Sequence, residues 1–74
     1  MKSKLVAYIE RDVESGLYVA VVPGVTGAHT QAETLDELHT KLKEVIELCL
    51  EEMDPEEREH LPEFVGIQQI EVVV

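Results

Sequence analysis

The stretch Thr34–Met53, TLDELHTKLKEVIELCLEEM, decides the architecture. Thr34 followed three residues later by Glu37 has the form of a capping box. The hydroxyl accepts from the Glu37 amide while the Glu37 carboxylate reaches back toward the cap. Asp36 and Glu37 add negative charge at the positive end of the helix dipole. Leu35, Leu38, Leu42, Val45, Ile46, Cys49, Leu50 and Met53 then recur at three- and four-residue intervals. That spacing makes one apolar stripe along a helix. Lys41, Glu44, Glu47, Glu51 and Glu52 occupy the opposite side, and Glu37 and Lys41 stand in the favourable i,i+4 order. A helix of this kind lays one face on a sheet and shows the other to water.

The sheet is expected on both sides of it. Upstream, residues 4–11 (KLVAYIER) read as a strand, and Asp12-Val13-Glu14-Ser15-Gly16 as a hairpin connection. Residues 17–22 (LYVAVV) form the second strand, ended by Pro23-Gly24 because proline cannot donate to a ladder. Residues 27–33 (GAHTQAE) make a short polar third strand suited to an edge. Downstream, Asp54-Pro55-Glu56-Glu57 restarts a short helical turn reaching about His60. Residues 65–74 (VGIQQIEVVV) are β-branched and aliphatic and are expected to pair as a final strand. The fold class is therefore α+β, in the order β-β-β-α-β: an antiparallel meander, one helix on one face and a final C-terminal strand. All of residues 1–74 form a single domain.

Both faces of the first two strands carry apolar residues, and one helix covers only one face. The uncovered face, assigned here to Tyr8, Tyr18 and Val22, is expected to bring copies together as a dimer or tetramer. The chain's size supports this. A domain of 74 residues buries only about 60% of its unfolded surface and gains from association. An internal disulfide is excluded by the single cysteine, and no ligand spacing suggests a metal.

Composition narrows the function. Hydrophobic residues at 45% suffice for a core, and aromatic residues at 4% make that core aliphatic. Sixteen acidic against six basic residues give a net charge of −10, which repels phosphate backbones and anionic lipid and suits a basic partner. The basic residues are scattered, so direct nucleic-acid binding is not expected. With neither a signal-peptide core nor an apolar run near the ~20 residues of a membrane span, the expected location is cytoplasmic. Cys49 lies on the apolar stripe and reads as core. His29, His39 and His60 share no metal-clip spacing, and the carboxylate pairs read as solvated helix surface. No phosphate loop or nucleophile motif is present, so neither catalysis nor a cofactor is expected.

Gly16-x-Tyr18-Val19-Ala20-x-Val22-Pro23, then Gly27, Thr30 and Glu33-Thr34-Leu35-Asp36-Glu37, resemble the N-terminal module of HicB-family antitoxins. The similarity runs over about residues 4–62. Gly24 and Thr26 replace the family's acidic residue and second proline in the turn, Ala32 its frequent glycine, and Leu38 a common alanine. The resemblance implies a truncated ribonuclease-H-like fold without the active site, comparable in build to a double-stranded-RNA-binding domain. Glu10 alone makes no metal-dependent nuclease. It also implies a partner, a small basic HicA-type ribonuclease toxin whose RNA-binding surface the module occludes. Glu44, Glu47, Glu51 and Glu52 are the expected toxin contacts. Many relatives add a C-terminal DNA-binding domain, and none is expected within these 74 residues. The alternative is an orphan structural or regulatory module that only self-associates.

Overall fold

A computed structural model describes residues 5–74, so Lys4, the expected start of the first strand, lies outside the described residues. The chain forms β1 (Tyr8–Arg11), β2 (Tyr18–Val21), β3 (His29–Ala32), α1 (Leu35–Glu52) and α2 (Pro55–Glu59). The three strands make one antiparallel sheet in the order β1-β2-β3, and α1 packs on β3 and β2. This is the expected α+β meander with its helix.

The first connection closes on side-chain chemistry. Ser15 Oγ donates to Asp12 Oδ2 at 2.7 Å, the Gly16 amide donates to the Asp12 carbonyl at 2.8 Å, and Gly16 takes a φ of +76°. The Ser15 hydroxyl and amide hold the Asp12 carboxyl below the ordinary aspartate range. A carboxyl whose folded-state pKa is depressed adds stability above its unfolded pKa and loses it as pH falls through the folded value. A carboxyl-carbon NMR titration should therefore place the Asp12 midpoint below that of a free aspartate, and Ser15→Ala should return it upward.

The second connection is two successive turns. The Val25 amide donates to the Val22 carbonyl at 3.3 Å and the Ala28 amide to the Val25 carbonyl at 3.1 Å. Gly24 (φ +84°) and Gly27 (φ +83°) each hold the third position of their turn, where positive φ is required. The Val22 amide closes the loop onto the Ala28 carbonyl at 2.9 Å. Val25 and Ala28 point inward, joining Ala20, Val22, Ala32, Leu38 and Leu42 as the buried core. A Cβ on Gly24 would collide with the Pro62 ring, so the loop and the chain after α2 are in close contact.

α1 begins as its sequence dictates. Thr34 Oγ1 accepts from the Glu37 amide at 3.1 Å. The Glu37 carboxylate, expected to reach back to the cap, instead pairs with Lys41 Nζ at 3.2 Å. Lys41 Nζ also donates to the Gln31 carbonyl at 3.3 Å, tying the helix to β3. Leu38 and Leu42 are buried while Val45, Ile46, Cys49 and Met53 pack at the margin. Leu35, at the head of the expected stripe, is half exposed. Pro55 opens α2, but the Asp54 side chain makes no cap hydrogen bond.

The final segment departs from expectation. Residues 60–74 form no helix or strand. Val65, Ile67, Ile70 and Val72–Val74 are all exposed. Apolar composition gives this segment β-propensity, but a strand exists only where a neighbour supplies the hydrogen bonds.

Candidate protein-binding surfaces

The register determines which side chains share a face. Tyr8 stands opposite Val21 and Glu10 opposite Val19, while Val21 faces His29 and Val19 faces Gln31. These six form the open face, and all are exposed. Ile9 opposite Ala20 and Arg11 opposite Tyr18 belong to the side that carries α1. The grouping of Tyr8, Tyr18 and Val22 on one uncovered face is therefore corrected. Tyr18 packs against the core and Val22 is only 3% exposed, so Tyr8 alone of the three lies on the open face. The cause is parity. The β1–β2 pairing sets even-numbered residues of one strand against odd-numbered residues of the other, and a strand's side chains alternate. The apolar part of the open face is Tyr8, Val19 and Val21, bordered by Glu10, His29 and Gln31.

On the helix side, α1 stops short of β1. Ile9 points to that side and is still half exposed. Between Leu5–Ala7 and Ile9 on one wall and His39, Leu42, Lys43, Ile46, Glu47 and Leu50 on the other runs an open, largely apolar groove of about 800 Å³. A smaller cleft of about 120 Å³ lies where Leu61, Pro62 and Phe64 meet Leu5, Val6, Tyr8 and Val22. From there Gly66–Gln68 pass beside Ala7–Glu10 across a third, shallow cleft.

The outer face of α1 is the acidic surface. Glu44, Glu47, Glu51 and Glu52 are all exposed. The spacing of Glu44, Glu47, Leu48 and Glu51 sets an exposed leucine among three carboxylates on one helix face. The last turn of α1 holds no basic residue, so Glu51 and Glu52 meet the negative end of the dipole. Arg58 Nη2 donates to the Met53 carbonyl at that end at 3.4 Å. Glu51→Lys should raise stability by roughly 0.5–1 kcal/mol, by reversing the Glu47–Glu51 repulsion and complementing the dipole. Thermal unfolding of the single variant checks this.

The remaining candidates are dispersed. His29 is on the open face, His39 on the groove wall, and His60 Nδ1 lies 2.7 Å from the Glu56 carbonyl at the end of α2. Among the described residues no three His, Cys, Asp or Glu side chains are grouped to hold a metal. Cys49 Sγ stands 3.7 Å from where a Cβ on Gly27 would be, half-buried between helix and loop. No helix among the described residues is long and apolar enough to cross a membrane. The groove is the surface that sequence reasoning missed. The half-buried placement of Ile9 depends on where α1 crosses the sheet, which no local pattern encodes.

Known proteins place the chain in a family. Residues 4–67 match the family described as a domain of unknown function (DUF1902). The UPF0150 protein ssr1258 of Synechocystis is 46% identical over 71 residues, covering 96% of this chain and 97% of that protein. UPF0150 proteins of Archaeoglobus fulgidus and Thermotoga maritima are each 48% identical, covering 93% and 89% of this chain and 94% and 85% of theirs. No solved structure matches. On the extent of these matches, the chain belongs to the DUF1902 family and is a relative of the UPF0150 proteins.

Proposed function

We propose that this domain is an antitoxin-like binding protein, of HicB type, that neutralises a small basic HicA-type ribonuclease by covering its RNA-binding surface. The observation that carries the reading is the outer face of α1, where Glu44, Glu47, Glu51 and Glu52 surround the exposed Leu48. Carboxylates around an apolar centre match the composition of a protein interface that must meet a cationic partner. Glu51 and Glu52 at the negative end of the helix give a partner's lysines and arginines a favourable place to bind. The net charge of −10 steers such a partner from a distance. The sheet and helix also suit the truncated ribonuclease-H-like likeness, and a cytoplasmic site of action goes with it.

The test is co-purification with a small basic ribonuclease, followed by RNA cleavage at increasing ratios of this protein. Cleavage should fall to zero near equimolar protein. Persistent cleavage at excess, with no complex on a sizing column, defeats the reading. Replacing Glu44, Glu47, Glu51 and Glu52 together by lysine should weaken inhibition at least about a hundredfold, taking roughly 1 kcal/mol per pair as exposed interfacial charges contribute. The loss should shrink as salt is raised, because screening removes the wild-type attraction first.

A second reading, an orphan module that only self-associates, is favoured by the exposed apolar segment after Pro62. Self-association belongs to both readings.

A further inference from the structure

The molecule exposes more surface than its size requires. Its accessible area is 6690 Å², where a compact monomer of this mass has about 4,600 Å². Its radius of gyration is 14.1 Å, against about 11 Å for a compact chain of this length. The final segment contributes to the excess. Gly66–Gln68 still run beside β1, but Ile70, Val72, Val73 and Val74 are each more than two-thirds exposed. In an extended segment, alternation puts Ile70, Val72 and Val74 on one side and Gln69, Glu71 and Val73 on the other. The first side is a continuous row of branched aliphatic side chains.

The same molecule holds a surface of matching chemistry, the groove between Leu5–Ile9 and α1. The charged side chains on its walls are Lys43 and Glu47, which cancel. From Val65 onward the final segment carries one charged side chain, Glu71. Two copies of a chain with net charge −10 repel each other over most of their surface, and these two regions are where like molecules meet at least electrostatic cost. The excess area, about 2,000 Å² per chain and so about 4,000 Å² for two copies, is of the size that obligate homodimer interfaces remove.

We propose that the groove of each copy is filled by Ile70, Val72 and Val74 of a second copy, the two exchanging their C-terminal segments about a two-fold axis. The exchange makes a strand of the segment that is unpaired in the single chain, and it covers Ile9. It rests on the self-association part of the reading above and is independent of the toxin. An isologous interface of this kind uses both regions twice, so a change in either is felt at two places.

Light scattering on the full chain across a concentration series tests it, with Ile70→Glu/Val72→Glu and Ile9→Glu measured alongside. The wild type should show twice the chain mass, and both variants should raise the dissociation constant about a hundredfold or more. The altered side chains are exposed in the single chain, so the far-UV helical signal should stay unchanged. A monomeric wild type overturns the exchange together with self-association. An oligomer that survives Ile70→Glu/Val72→Glu overturns the exchange and leaves self-association through another surface. An oligomer broken by the tail variant but not by Ile9→Glu overturns the groove as the seat.

Discussion

Leu38→Ala should lower stability by about 2–5 kcal/mol, the cost of emptying a buried leucine site. Leu38 is 1% exposed and the largest fully buried side chain. The rest of the core is Ala20, Val22, Val25, Ala28, Ala32 and Leu42, half of them alanines. Alanines cannot move to fill a hole, so the cavity should persist and the cost should lie in the upper half of the range. A domain of this length has roughly 4–11 kcal/mol in total. Leu38→Ala should therefore leave a substantially unfolded population near body temperature. Leu48→Ala, on the same helix but exposed, should change stability by less than about 0.5 kcal/mol. Urea unfolding of the two variants makes the comparison. Equal effects would mean that α1 is not seated on the sheet by Leu38.

Gly24→Ala has the second-largest expected effect, for two independent reasons. The backbone there has a φ of +84°, which a side chain tolerates poorly, at about 1–2 kcal/mol. The new Cβ would also strike the Pro62 ring, which is rigid and cannot turn aside. The sum should exceed the backbone term alone. Pro62→Ala in the same chain should recover the steric part and leave the backbone part, so the two changes should be non-additive. Strict additivity in a double-mutant cycle would mean that Pro62 does not lie against the turn.

How far the sequence foretold this depends on the range of the interaction. The α1 cap, the Glu37–Lys41 pair, the Asp12–Gly16 connection and the Pro23-Gly24 break were all legible because each is settled within a few residues. The composition of the two sheet faces was not. Alternation within β1 and within β2 is local, but which side of one matches which side of the other depends on register. A change of one residue moves Tyr18 and Val22 from the open face to the core side. The final segment shows the opposite limit. Its propensity for extended structure was plain in residues 65–74, yet propensity names a conformation and not a neighbour. The acidic strip was legible as a strip because helix periodicity is local, while the groove beside it needed the crossing position of α1.

The strand order β1-β2-β3, with α1 lying on β3 and β2, means that each element rests on what was made just before it. Loop closure between successive neighbours is cheap, and such topologies fold quickly. The buried core is drawn from residues 20–42 and its packed margin reaches Leu61, whereas Ile70 and Val72–Val74 add nothing to it. Each copy can therefore complete its own core without its apolar end, which separates the folding of one copy from its meeting with the next.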